Sequence, residues 1–154
     1  MAAVEAGMRL TAYTDYSLRM LIYLASYPER RPTIGEIAEC YGISRNHLTK
    51  VAHNLGLGGY VSTVRGRGGG LMLARPAAEI GIGDVVRSTE PDMAIVPCFS
   101  GGAIECAITP ACRLKGALYQ AQKAFMDVLD GHSLADLTEN AGSLRLLFGL
   151  PPAA

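Results

Sequence analysis

A chain of 154 residues, 49% of them hydrophobic, is long enough for one compact domain with a helical extension. It holds no apolar run of about 18 residues, which excludes a helical membrane span, and "MAAVEAGMRL" lacks the basic stretch and hydrophobic core of a secretory signal. Net charge is zero (14 basic, 14 acidic), yet Arg45, Lys50, Arg65, Arg67 and Arg75 fall between Tyr41 and Ala78, where there is no Asp or Glu; that block is an electrostatic footprint for nucleic acid.

The segment "TDYSLRMLIYLASY" places Leu18, Leu21, Ile22 and Ala25 at i, i+3, i+4 and i+7, the spacing of an amphipathic helix. Thr14 is its expected N-cap, and Pro28 follows its end. In "PTIGEIAECYGIS", Thr33 and Glu36 form a capping box, Ile37, Ala38 and Tyr41 supply an apolar face, and Gly42 ends the helix. Ser44 is then expected to cap a third helix, "RNHLTKVAHNLGLGG", with Leu48, Val51, Ala52 and Leu55 facing the core. Two short helices joined around a glycine make a helix-turn-helix. The period changes in "GYVSTVRGRGGGLMLARP": Tyr60, Val61 and Val64, then Leu71 to Leu73, are strands either side of a Gly-rich turn, a β-hairpin wing. The segment "IGDVVRSTEP" reads as one short helix ended by Pro91.

The stretch "VPCFSGGAIECAITPACRL" carries Cys98, Cys106 and Cys112 in a loop too rich in glycine to be one regular element. Thr109 and Pro110 are expected to start a long helix running to about Leu129. Its Leu114, Leu118, Ala121, Phe125 and Val128 repeat as a narrow heptad-like seam, better suited to a partner helix than to a broad core face. "SLADLTEN" is a further short helix. The fold expected is mainly α with a small β-hairpin: a winged helix-turn-helix domain (8–90), a loop bearing the cysteines (91–108), and a dimerisation helix with a C-terminal helix (109–140). Residues 1–7 and 150–154 are expected to be disordered ends.

DNA reading needs early helix residues able to donate and accept at base edges in the major groove. Ser44, Arg45, Asn46, His47, Thr49 and Lys50 offer such groups, and the wing adds Arg65, Gly66 and Arg67 for the phosphate backbone or the minor groove. "RGRGGG" is no phosphate-cradling loop of a nucleotide enzyme, because it lacks the Lys-Ser/Thr pair and lies between strands. Cys40 reads as a small core thiol. In the absence of a signal segment the expected setting is a reducing cytoplasm, where clustered cysteines are metal ligands or redox groups rather than disulfides. The trio admits an iron–sulfur cluster, a thiol redox switch, zinc or mere packing. Zinc normally wants four ligands in close knuckles, and a thiol enzyme wants Cys-x-x-Cys; the chain offers neither, so no enzyme is expected.

"MRLTAYTDYSLRMLIYLA", "YGISRNHLTKVAHNLGLGGYVSTVRGRGGGLMLARPAAEIGIGDVVRSTEP" and "CAITPACRLKGAL" together resemble the winged-helix iron–sulfur regulators that include IscR and RirA, and within them the nitric-oxide-sensing NsrR group. The likeness runs over roughly residues 8–140. It implies a homodimer on a pseudo-palindromic double-stranded operator, repressing until nitric oxide nitrosylates an iron–sulfur cluster and DNA is released. It further implies a cluster, [4Fe-4S] more than [2Fe-2S], on positions matching Cys98, Cys106 and Cys112, with Asp15 as a fourth ligand from the other subunit. The seven-residue gap between Cys98 and Cys106 also resembles the iron-responsive RirA type, so an iron- or redox-responsive regulator is the alternative. "CRLK" lacks the histidine that follows the third cysteine in IscR.

Overall fold

Apolar side chains cover so much of the first helix, α1 (Ala12–Ser26), that the other elements gather around it. In the computed structural model, residues 8–101 and 106–152 are described. Met20, Leu21, Tyr23 and Leu24 of α1 are buried, while the predicted Leu18, Ile22 and Ala25 are partly buried against the same core. The N-cap is Thr11, one turn ahead of the predicted Thr14. Thr11 Oγ1 accepts the Thr14 N–H at 3.3 Å, and Thr14 itself is buried inside the helix. Thr11 is held there by Glu90, whose Oε1 accepts its N–H at 2.8 Å and its hydroxyl at 3.0 Å.

The second helix, α2 (Ile34–Tyr41), has the predicted capping box of Thr33 and Glu36 and ends on Gly42 at φ +64. The third, α3 (Arg45–Leu57), buries Leu48, Val51, Ala52 and Leu55 as its period requires. Strands β1 (Val61–Val64) and β2 (Gly70–Leu73) pair antiparallel with Val61 opposite Leu73 and Val64 opposite Gly70. The Leu71 N–H donates to Pro32 O at 2.8 Å, fastening the wing root to the segment ahead of α2. Arg75 is part of this framework. Its guanidinium donates to the carbonyls of Gly58 and Gly59 and lies 4.5 Å from the Tyr60 ring centroid.

Helix α4 (Ile82–Thr89) packs on α1 and contacts the long helix α5 (Arg113–Asp130). Thr109 and Pro110 do not begin α5. They form a separate 3-10 turn (Thr109–Ala111), and extended Cys112 interrupts it before capping the helix with its own sulfur. Arg87 of α4 clamps Asp130 at the other end of α5 with two parallel hydrogen bonds of 2.7 and 2.5 Å. "SLADLTEN" contributes only a 3-10 turn (Asp136–Thr138), and a helix α6 (Ala141–Leu147) follows it. After α6, Phe148 packs on Tyr23 and Tyr41, and Leu150 is partly buried against the core. Arg145 Nε donates to Ser26 O at 2.6 Å. Residues 151 and 152 are exposed coil; residues 1–7 and 153–154 lie outside the described residues.

Among the described residues there are thus six α-helices and one two-stranded hairpin, the mainly helical winged architecture expected from the sequence. No helix among them is long and apolar enough to cross a membrane.

Candidate nucleic-acid interface and thiol site

Because α3 places an apolar residue inward at 48, 51, 52 and 55, its remaining positions form an exposed face carrying Arg45, Asn46, His47, Thr49 and Lys50. Ser44 occupies the N-cap position without a side-chain cap bond, so its hydroxyl is not consumed by the helix. Two of these side chains are partly engaged already. His47 stacks on Tyr16 of α1 with ring centroids 6.2 Å apart, and the Thr49 hydroxyl donates to Arg45 O at 2.9 Å. The same face includes His53, which the sequence reading passed over although it lies four residues beyond Thr49.

The wing turn carries exposed Arg65 and Arg67. Gly66 at φ +93 and Gly68 at φ +74 adopt a left-handed backbone that other residues disfavour, which shapes the narrow tip. With Arg75 committed to Tyr60, the cations of the Tyr41 to Ala78 block left exposed are Arg45, Lys50, Arg65 and Arg67.

The thiol site forms where the chain leaving α4 crosses the start of α5. Asp92 to Ala94 and Cys98 to Ser100 face Cys112, Lys115, Gly116, Tyr119 and Gln122 across an open cleft of about 720 Å³. Cys98 sits in the 3-10 turn Pro97–Phe99. Cys112 Sγ accepts the Lys115 N–H at 3.4 Å. The Gln122 side-chain amide donates to Met93 O, and Phe99 meets Tyr119 edge-on with centroids 6.5 Å apart, so the wall formed by residues 92–100 is fixed to α5.

Two of the four predicted ligands are therefore brought to one cleft, and two are not. Cys106 is exposed and does not line it; residues 102–105, just before it, lie outside the described residues. Asp15, in the first turn of α1, is 44% exposed and pairs with Arg19 at 2.9 Å. Among the described residues no three His, Cys, Asp or Glu side chains converge as a metal site within one chain. Cys40 is a partly buried thiol against the core, and burial pushes its pKa up, which keeps it protonated and inert. The donor set in the cleft fits a thiolate-held cluster in kind: soft sulfur ligands, an amide N–H aimed at one sulfur, a lysine in the wall and aromatic cover.

A family model described as "Rrf2: Iron-dependent Transcriptional regulator" matches residues 10–140. The chain is 49% identical over 141 residues to the HTH-type transcriptional regulator NsrR of Geobacillus kaustophilus (strain HTA426), covering 91% of this chain and 96% of that one. It is 47% identical to the regulator of the same name from Shouchella clausii (strain KSM-K16), covering 91% and 95%. Among solved structures, T. potens IscR is similar at a TM-score of 0.72 and 26% identity, covering 90% of this chain and 92% of that one. CymR (YrzC), the global cysteine regulator of B. subtilis, is similar at 0.71 and 25%, covering 87% and 98%. With its fold, its exposed helix-turn-helix face and these likenesses in agreement, the chain belongs to the Rrf2 family of transcriptional regulators and is not an enzyme.

Proposed function

We propose that this protein is a homodimeric DNA-binding repressor that senses nitric oxide through an iron–sulfur cluster, [4Fe-4S] rather than [2Fe-2S], in the cytoplasm. The observation that carries the reading is the meeting of Cys98 and Cys112 in one cleft, at the junction between the winged module and α5. Cys98, Cys106 and Cys112 are the thiolate ligands, and Asp15 of the partner subunit is the fourth. Releasing Asp15 from Arg19 costs little, because an exposed i, i+4 pair is worth only about 0.3–0.5 kcal/mol. When bound, the cluster supplies iron that reacts with nitric oxide. The Lys115 backbone N–H donates to Cys112 Sγ, and Lys115 lines the cleft, so this residue would offer a hydrogen-bond donor to a thiolate-held cluster there.

Dimerisation is supported by α5, on which Met126 is the one buried residue while Leu114, Phe125 and Val128 remain exposed at 62%, 39% and 63%. A single chain leaves that seam without a cover. DNA is read by Ser44, Arg45, Asn46, His47, Thr49 and Lys50 in the major groove of each half of a pseudo-palindromic operator, with Arg65, Gly66 and Arg67 against the backbone or minor groove. Cys98 would hold the cluster on the segment 92–100, which packs on α5 through the Gln122 bond to Met93 and the Phe99–Tyr119 contact, so the cluster would tie that segment to Cys112 at the start of α5. A tenfold loss of operator affinity then requires only about 1.4 kcal/mol of coupling.

The test is oxygen-free purification with an absorption spectrum and counts of iron and sulfide, followed by titration of the operator complex with nitric oxide. Stoichiometric release by nitric oxide is expected. Cluster-free protein that holds the operator as tightly as the loaded form overturns the reading. The fold it shares with IscR supports an iron- or redox-responsive regulator as a second reading; release by chelator or oxidant but not by nitric oxide establishes that one instead.

A further inference from the structure

A second cleft, of about 430 Å³, opens between α3 and the wing, away from the cysteines. Thr33, Thr49, His53, Thr63 and Gly70 are among its walls, and none of its lining residues is acidic. Its polar groups are differently committed. Thr49 donates its hydroxyl to Arg45 O. Among the described hydrogen bonds neither the His53 imidazole nor the Thr63 hydroxyl has a partner, and both side chains are exposed. The carboxylate of Glu36 is tied down by the Thr33 N–H at 2.6 Å and by Arg30 at 2.9 Å, which neutralises the acidic charge on that side.

The backbone of Arg31 adjoins one wall of this cleft. A Cβ built on Gly70 lies 2.1 Å from Arg31 O, so the arginine backbone is in direct contact with the cleft wall. Arg31 is exposed and makes no ion pair with a carboxylate among the described residues. It lies outside the Tyr41 to Ala78 block, and the bond from the Leu71 N–H to Pro32 O holds its backbone beside the wing root.

We infer that this cleft seats one phosphodiester of the operator, bonded by His53 and Thr63 and neutralised by Arg31. The inference rests on the DNA-binding reading above and adds a site to it. Its position selects the occupant: a strand leaving the major groove under α3 for the groove under the wing tip crosses the surface between them. The seat fixes how far α3 enters the major groove relative to the wing, and it does so without reading sequence.

The probe is a duplex selected from a random-sequence pool by the cluster-loaded wild-type protein, bound over a series of salt concentrations. Arg31→Ala is expected to lower the magnitude of the salt slope by about one and to weaken binding about tenfold. His53→Ala should weaken binding without changing the preferred sequence. Replacing one phosphate at a time by an uncharged methylphosphonate should reveal a single position per half-site where the wild-type protein and Arg31→Ala bind equally well. Both side chains are exposed, so cluster absorbance and thermal stability should remain at the wild-type level. An unchanged slope in Arg31→Ala, or an equal deficit at every methylphosphonate position, overturns the seat while leaving the DNA reading intact. Failure of the wild-type protein to select any duplex overturns both.

Discussion

Replacing Gly70 by alanine tests how the wing is anchored. Gly70 needs no left-handed backbone; what it lacks is room. A Cβ there would stand 2.1 Å from Arg31 O, 2.6 Å from Arg31 C and 2.7 Å from Pro32 O. All three are backbone atoms, so no rotamer change relieves the contact, and the strand must move by about 1 Å to restore van der Waals distance. The same movement breaks the 2.8 Å bond from the Leu71 N–H to Pro32 O. Overpacking of about 1–3 kcal/mol and a lost hydrogen bond of about 1 kcal/mol give a total of about 2–4 kcal/mol. Urea unfolding of the reduced, cluster-free protein should show the loss as a lower midpoint at constant slope. Gly66→Ala is the contrast, with nothing within 4 Å but φ at +93; its cost is the left-handed penalty alone, about 1–2 kcal/mol. A Gly70→Ala loss below about 0.5 kcal/mol refutes the claim that backbone contact closes the wing root.

Phe125→Asp puts a charge into the α5 seam and should raise the dimer dissociation constant at least about 30-fold, as a lost hot spot of about 2 kcal/mol does. Sedimentation should then find a folded monomer, and an undisturbed dimer would show that the seam is not the interface. Cys112→Ser should keep the α5 cap yet lose cluster absorbance, whereas Cys112→Ala should lose both, with about 0.5–2 kcal/mol less stability in the cluster-free chain. Equal cluster content in wild type and serine variant would exclude this sulfur as a ligand. The Thr33 backbone N–H holds the Glu36 carboxyl below its ordinary range, with smaller contributions from the Thr33 side chain and Arg30 against opposing desolvation. A folded value lower than the unfolded one adds stability above the unfolded pKa of about 4.3, lost as pH falls through the folded value. Glu36→Gln should therefore be less stable at neutral pH, with a flatter decline below about pH 4.3 in urea midpoints taken across a pH series.

Elements whose signals are local were legible before any coordinates. The Thr33–Glu36 box, Gly42 and the period of Leu48, Val51, Ala52 and Leu55 depend on neighbours within one or two turns. Where a partner far along the chain decides, the reading slipped. Thr11 rather than Thr14 caps α1 because Glu90 fixes it from 79 residues away. Helix α6 and the docking of Phe148 depend on Tyr23 and Tyr41, which no local period announces. Arg75 looked like a free cation until Tyr60 and two carbonyls claimed it. In the thiol site, residue types were readable but their assembly was not. Cys98 and Cys112 line one cleft only because residues 92–100 fold back on α5, and Asp15 lies on another element altogether.

The placement of that cleft accounts for how a small change could govern DNA binding. Helix α5 is fastened to the winged module near its C-terminal end, by Arg87 on Asp130 and by the bonds that pair residues 80–82 with 132–134. From its start to its middle it is steadied by the cleft, through Cys112, the Phe99–Tyr119 contact and the Gln122 bond to Met93. Eighteen residues make a lever of about 27 Å. A tilt of about 5° about the fastened end displaces the other by about 2 Å over that length. In the proposed dimer two such levers cross, so their displacements add between recognition helices that must match half-sites about 34 Å apart. Because hydrogen bonds to base edges weaken steeply beyond about 3.2 Å, a shift of that size is enough to break register. On the proposed reading, switching would need no large rearrangement of the core, only a cleft that held one end of a helix in one state and released it in the other.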